Sequence, residues 1–235
     1  MGLGGILGVK QKEETMTDAN WDEVGKALLR NARVTNFEKI IKEPLEETIN
    51  TLKMKHTDIV LLLIFTYLDL LGYLFKGSSF SKNAVAFIRE YLGRVDPRYK
   101  EIGGLLYHAL RHGYVHLGTP KRIQLKDEKI LDFSFGIGKR EDSFKFTKTL
   151  EFRMTGERSD IYRLFVNVPL LYKDLLSAMD MYAEEIRHNQ ELSDVFWKAF
   201  ETRRKPEKEK DIRVRYKSYL RDSDFDFLRA QISSL

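Results

Sequence analysis

Three histidines and an arginine fall close together in residues 105–120, which read LLYHALRHGYVHLGTP. They are His108, Arg111, His112 and His116, and the whole chain has five histidines. A guanidinium binds phosphate through paired N–H donors and stays charged, whereas an imidazole exchanges a proton near neutral pH. An arginine and a histidine at this spacing therefore suit attack on a phosphodiester, and this chemistry requires no metal.

The segment has the boundaries of a helix. Asp96 and Pro97 are typical of an N-cap and first turn, and Gly118 followed by Pro120 is typical of a helix end. Between these signals the apolar residues recur at helical spacing and predict one buried face: Ile102, Leu105, Leu106, Ala109 and Leu110. On such a helix the three histidines form one stripe, with Arg111 beside it.

An apolar run at residues 59–75 predicts the most buried helix, ended by Gly77 and two serines. It is shorter than the ~20 residues of a membrane helix, so we expect a bundle helix and no membrane. Asp69 lies inside the run. Because a buried carboxylate must be paired or protonated, Asp69 either reaches a wet rim or pairs with Arg111 or a histidine.

The motif resembles that of the HEPN superfamily (higher eukaryotes and prokaryotes nucleotide-binding). The likeness consists of Arg-x4-His from Arg111 to His116, a polar residue directly after the arginine, the Leu-Tyr lead-in, and a preceding apolar helix with Asp69 and a serine-rich turn. It covers residues 58–120. The family pattern often has Asn or Asp where this chain has His112.

The resemblance implies an all-helical core and a metal-independent endoribonuclease without a cofactor, acting on RNA or nucleotide. It implies a homodimer with a composite site, a toxin or defence role with an antitoxin or other partner protein, and a cytoplasmic location. The implied catalytic residues are Arg111, His116 and His112, and those expected to orient or support them are Asp69, His108 and Tyr107.

Three alternatives stay open for the histidine stripe. His108 and His112 could be partly buried residues satisfied by hydrogen bonds, with Arg111 as an ion-pair partner. Histidines four residues apart could bind zinc, although no His-Glu-x-x-His pattern or evident third ligand accompanies them. Finally, a non-catalytic HEPN-like scaffold could bind nucleotides or a protein.

Composition permits a globular core with a strongly charged surface. Of the 235 residues, 43% are hydrophobic and 32% are charged, and the net charge is +5. This charge allows contact with nucleic acid without demanding it. The absence of cysteine excludes disulfides and thiolate metal sites.

After Pro120 the hydrophobic period changes to two, which predicts strands at residues 131–137, 144–154 and 162–168, with a short one near Ile123. We therefore predict an α+β fold, a mainly helical HEPN-like bundle. A small antiparallel sheet of three to four strands is inserted between the motif helix and a C-terminal helix. The basic residues of this region indicate either a solvated strand face or an RNA platform.

The predicted organisation has a disordered N-terminus at residues 1–16, a single domain at 17–200 that includes the β-region 121–168, and a basic C-terminal arm and tail at 201–235. Residues 203–217 carry eight basic and three acidic residues. The run is either a solvated linker or an arm that contacts phosphates through Arg203, Arg204 and Lys205.

The remaining helices are predicted from apolar spacing and caps. The expected ranges are 21–33, 36–54, 82–94, 170–189 and a short segment at 193–200. Trp21 and Leu28 are expected on the buried face of the first, and Ser81 is expected to cap the third. Pro44, in the early turns of the second, either kinks that helix or marks a later start.

Overall fold

The computed structural model describes residues 18–52, 54–126, 128–137, 150–154, 161–218 and 221–233, with the side chains of all but 18–20, 116–117, 150–154 and 228. The chain is mostly helical with one small sheet, so the α+β class is confirmed. The predicted disordered segment 1–16 and the strand residues 144–149 lie outside the described residues.

The first two predicted helices form one continuous rod. Helix α1 (Asp18–Phe37) passes through a π-helical turn, Glu38–Lys42, into α2 (Glu43–Leu52). The wider turn directly precedes Pro44, whose missing N–H interrupts the α-helical hydrogen bonds. The prediction for Trp21 and Leu28 was wrong, because they are 60% and 65% exposed. The buried face of the rod begins further along, at Val34 and Phe37.

Helix α3 (Thr57–Lys76) is the central helix, as predicted, and it ends at Gly77 in the left-handed conformation (φ 71°). Its buried residues are Val60, Leu61, Ile64, Phe65, Leu68, Leu71, Gly72 and Leu74. Among the described residues, α3 alone is long and apolar enough to cross a membrane, and 44% of its apolar window is buried. One such helix is consistent with a soluble protein.

Helix α4 (Ser81–Phe87) packs closely on α3 and continues through a π-helical turn (Ile88–Leu92) into the short α5 (Gly93–Val95). The helix begins where predicted, but the residue at the N-cap is Phe80 and no side chain caps it. The predicted Ser81 cap was therefore wrong.

The motif helix consists of α6 (Arg98–Leu106), a π-helical turn (Tyr107–His112) and α7 (Gly113–Leu117). At its start, Asp96 accepts a hydrogen bond from the backbone N–H of Arg98 at 3.0 Å. At its end, Gly118 adopts the left-handed conformation (φ 69°). Both predicted boundaries of this helix are thus confirmed to within about two residues, the usual uncertainty of a helix end.

The described strands form one mixed sheet, which lies in the chain between the motif helix and the long helix that begins at Val168. They are β1 (Ile123–Gln124), β2 (Ile130–Gly136), β3 (Leu150–Met154) and β4 (Ile161–Asn167), in the order β1-β2-β4-β3. Strand β4 pairs antiparallel with β3 but parallel with β2, where Phe133 lies opposite Leu164. The predicted all-antiparallel sheet was therefore wrong. Alternating hydrophobicity fixes which face of a strand is buried but not the direction of its neighbour.

Two long helices close the core. Asn167 caps α8 (Val168–His188) by accepting from the N–H of Leu170 at 3.4 Å. Helix α9 (Gln190–Arg204) follows directly and is longer than the predicted 193–200. Edge-to-face contacts join aromatic rings from five helices and the π-helical turn Ile88–Leu92. The rings are those of the half-buried Phe75 and of the buried Phe37, Phe87, Tyr91, Tyr182 and Phe196.

The C-terminal segment forms helices α10 (Glu209–Arg215) and α11 (Asp222–Ser233). Arg213 pairs with Glu209 and Asp222, and Arg229 reaches the same Glu209 at 2.6 Å. Apolar side chains on both helices stay exposed, among them Val214 at 81% and Phe227 at 64%. Charge pairing thus links these two helices while their apolar side chains remain in water.

Candidate active site

The π-helical turn Tyr107–His112 carries most of the predicted site. Its wider winding lies within the motif, and such turns are frequent at functional sites. The rings of His108 and His112 have centroids 5.6 Å apart, so these two members of the predicted stripe are neighbours. His108 is exposed, whereas His112 is half-buried, with its ring 5.8 Å from that of Tyr107.

Asp69 joins α3 to the motif helix. Its carboxylate accepts a hydrogen bond from Arg111 Nε at 2.8 Å on one oxygen and from the Tyr107 hydroxyl on the other. The side chains of Asp69 and Arg111 are 31% and 24% exposed. Both expectations for Asp69 are met, because it lies at a wet rim and also pairs with Arg111.

The environment keeps the Tyr107 phenol protonated. Burial, together with the hydrogen bond to the Asp69 carboxylate, raises the pKa of Tyr107 to about 12. The phenol therefore donates to Asp69 throughout the physiological range. The Asp69 carboxylate, which accepts from Tyr107, also accepts from Nε of Arg111 and so fixes this arginine. No described residue accepts a hydrogen bond from the Nη atoms of Arg111.

Arg111 opens onto a cleft of about 250 Å³, which we call the motif cleft. Its walls come from α3, the serine turn and the motif helix, and its lining residues are Asp69, Ser79, Phe80, Ser81, Tyr107, Arg111, His112 and Val115. The structure thus brings Arg111, His112, Tyr107 and Asp69 to one cleft. The serines and Phe80 were not predicted as site residues, and only the noted serine-rich turn pointed to them.

His116 lies in α7, but its side chain is outside the described residues. The helix around it is fixed by Gly113, where an added Cβ would lie 2.6 Å from the Thr119 carbonyl oxygen and from the Lys121 backbone nitrogen. The N–H of Lys121 donates to the carbonyl of Ala109 at 3.0 Å. Only glycine permits this close return of the chain over the motif.

A second cleft of about 440 Å³ adjoins the first and shares Asp69 and Ser79 with it. Arg203 and Lys205 line it, so two residues of the predicted basic arm lie beside the motif. Arg204 does not line it, because its guanidinium lies over the ring of Phe200, 5.7 Å from the ring centroid. The structure thus separates Arg204 from the other two cations.

Comparisons with protein-family models, curated proteins and solved structures return no match.

No group of three or more metal-binding side chains occurs among the residues whose side chains are described. The chemistry on offer is that of the motif cleft itself. Arg111 presents two Nη donor atoms with the geometry that suits a phosphate, and His112 adds a group able to exchange a proton. In the motif cleft, this arrangement can bind a phosphodiester, stabilise its negative charge and supply a proton to it.

Proposed function

We propose that this chain is a metal-independent endoribonuclease of HEPN type. The observation that carries the proposal is that Asp69 holds Arg111 through Nε at 2.8 Å at the lining of a polar cleft, while no described residue accepts from its Nη atoms. A guanidinium oriented before the substrate arrives can stabilise charge that develops on a phosphate without reorganising. Neither a buried arginine nor one free to rotate would provide this preorganised stabilisation of charge.

In the proposed reaction, the 2′-oxygen of RNA attacks the adjacent phosphorus and the 5′-oxygen leaves. Arg111 stabilises charge on the non-bridging oxygens. His116 acts as general base or general acid, which is worth about 10²–10⁴-fold, and His112 orients the phosphate or shares the proton transfer. By resemblance, the products are a 2′,3′-cyclic phosphate and a 5′-hydroxyl.

A homodimer with a composite site fits the surroundings of the motif cleft. Two apolar residues that line it are exposed, Phe80 at 62% and Val115 at 44%. Exposed apolar surface next to a polar cleft favours a contact with another protein. In a two-fold dimer, a second copy would supply another Arg111 and His116.

The test is incubation of the protein with a pool of total RNA in EDTA, beside the variants Arg111→Ala and His116→Ala. We expect cleavage by the wild type, losses of about 10²–10³-fold for Arg111→Ala and about 10²–10⁴-fold for His116→Ala, and unchanged circular dichroism. Native cleavage by either variant would refute its assigned role. Activity abolished by EDTA and restored by zinc would favour the metal alternative.

The alternative function is a non-catalytic scaffold for a nucleotide or a protein. It is favoured by the exposed apolar side chains of α10 and α11, Val214, Phe227 and Ile232, which suit a protein partner such as an antitoxin. A wild type that binds RNA or a partner but leaves RNA uncut would support it. For either function, a cytoplasmic location remains part of the proposal.

A further inference from the structure

The second cleft continues the motif cleft along the surface. Asp69 and Ser79 form the shared wall, with Arg111 on one side and Leu70, Tyr73, Arg203 and Lys205 on the other. A ligand seated on Arg111 therefore lies next to the second cleft, across the shared Asp69 and Ser79. With about 440 Å³, that cleft is the larger of the two.

The charge balance of the second cleft favours an anion. Two acids line it, but both are paired: Asp69 with Arg111 at 2.8 Å, and Glu207 with Arg215 at 2.7 Å. By contrast, the side chains of Arg203 and Lys205 are exposed and make no hydrogen bond or ion pair within the described part of the chain. Two cations thus remain for a ligand.

The position of these cations is set by helix α9. Arg203 belongs to its last turn, and its charge reaches Tyr67 on α3, where it opposes the rise that burial causes in the pKa of that phenol. Lys205 follows at the C-cap. On the opposite wall, Tyr73 is held by a hydrogen bond from its hydroxyl to the Ala199 carbonyl at 3.1 Å. The cleft therefore combines two exposed cations at the end of α9 with an aromatic wall held by a hydrogen bond.

We propose that the second cleft binds the phosphate next to the scissile one in single-stranded RNA, through Arg203 and Lys205. The nucleotide base attached to it lies against Leu70 and Tyr73. This inference rests on the proposed function, which places the scissile phosphate at Arg111. It names the substrate as a strand with at least two consecutive phosphates, in which the second phosphate sets affinity and the first is cut.

The test uses binding that does not depend on cleavage. A fluorescent 2′-O-methyl oligoribonucleotide lacks the attacking hydroxyl, and its dissociation constant is measured by anisotropy over a range of salt concentrations. The variant Arg203→Ala/Lys205→Ala is compared with Lys208→Ala/Lys210→Ala, which removes the same charge from exposed positions of the same segment outside both clefts.

We expect the Arg203/Lys205 variant to bind roughly 10–30-fold more weakly at about 0.1 M salt, with a log–log salt slope shallower by about 1.4. The control should stay within about threefold of the wild type. Equal weakening by both variants would refute the subsite, because any loss of positive charge would then suffice.

A second arm compares a dinucleoside monophosphate, which has only the scissile phosphate, with a longer RNA. The Arg203/Lys205 variant should cut the short substrate at the wild-type rate and lose efficiency on the long one. The same loss on both substrates would overturn the proposal, since a cation that binds a neighbouring phosphate cannot act where none exists.

The outcomes separate this inference from the nuclease proposal. Cleavage by the wild type, with equal binding by both double variants, would refute the subsite and leave the nuclease. Binding that depends on Arg203 and Lys205, without any cleavage by the wild type, would support the subsite and refute the nuclease.

Discussion

Arg111 and Asp69 are 42 residues apart in the chain, yet the guanidinium Nε donates to the carboxylate at 2.8 Å. This contact uses Nε, and Arg111 lines the motif cleft with no described acceptor for its Nη atoms. The same carboxylate also accepts from Tyr107. In the proposed reaction Asp69 is therefore a positioning residue, which would act on the substrate through Arg111.

The first prediction concerns this positioning role. Asp69→Asn keeps the shape of the side chain but weakens the hold on Arg111, and misplacement of such a group by about 1 Å can cost about 10²-fold in rate. We expect kcat on RNA to fall by about 10–100-fold with little change in KM, because the guanidinium still meets the phosphate but in a poorer orientation.

The control for Asp69→Asn is Asp132→Asn. Asp132 pairs with Arg163 at 2.9 Å and lies in β2, outside the lining of both clefts. It should lower stability and leave the rate per folded molecule unchanged. Equal activity losses in the two variants would show that Asp69 acts only by stabilising the fold.

The second prediction concerns the titration of the Tyr107 phenol at alkaline pH. Burial and the hydrogen bond to Asp69 raise its pKa to about 12, whereas an unfolded tyrosine titrates near about 10. Since the folded pKa is the higher one, the stability due to Tyr107 is complete below about pH 10 and is lost as the pH rises through about 12.

The measurement is the tyrosinate absorbance of the wild type minus that of Tyr107→Phe. We expect the difference to appear near pH 12, about two units later than for a free phenol. A difference that appears at the ordinary value would mean that Tyr107 does not donate to Asp69 in solution.

The sequence predicted the features of this site that depend on neighbouring residues better than those that depend on residues far apart in the chain. The helix boundaries at Asp96 and Gly118 depend on local capping and turn chemistry, and both were predicted. The Asp69–Arg111 pair was one of two alternatives, since a carboxylate in an apolar helix needs a partner. Its geometry became evident only when two distant helices were packed together.

Other features carried no usable local signal. Parallel pairing of β2 with β4 depends on the path of the chain between them, which hydrophobic alternation does not encode. The π-helical turn at Tyr107–His112 depends on tertiary packing. Arg203 and Arg204 are equivalent in a charge run, but α9 continues through both and turns them to different surroundings.

The third prediction concerns stability in acid. Burial alone would raise the pKa of Glu185, but hydrogen bonds from Tyr91 at 2.6 Å and from Arg94 outweigh it, so the pKa of Glu185 is lowered. Since the folded pKa is the lower one, this stability is present above the unfolded value of about 4.3 and is lost as the pH falls through the folded one.

Glu185→Gln keeps an acceptor for Tyr91 and removes the charge facing Arg94. We expect it to lower the free energy of unfolding at neutral pH by about 1 kcal/mol, a value reduced because the side chain is 35% exposed. Urea unfolding should show this difference shrinking below about pH 4. Glu184→Gln, at a more exposed neighbour, should change stability by less than about 0.5 kcal/mol.

The fourth prediction concerns the contact that positions the wall of the motif cleft. Gly72 lets the backbone of α4 approach α3 so closely that a Cβ there would lie 2.5 Å from the Asn83 carbonyl carbon and 2.6 Å from Ala84 Cα. Backbone atoms cannot rotate out of the way as a side chain can. Gly72→Ala must therefore separate the helices, and we expect it to lower the free energy of unfolding by about 2–3 kcal/mol.

The matched control for Gly72→Ala is Gly25→Ala in α1, where an added Cβ meets nothing within 4 Å. There alanine should stabilise the helix by about 0.5–1 kcal/mol, because it loses less backbone entropy than glycine. Both values come from urea unfolding of the two variants. Because α4 begins at Ser81 and the serine turn lines both clefts, Gly72→Ala should also weaken RNA binding per folded molecule. Stabilisation by both substitutions would contradict the close α3–α4 contact.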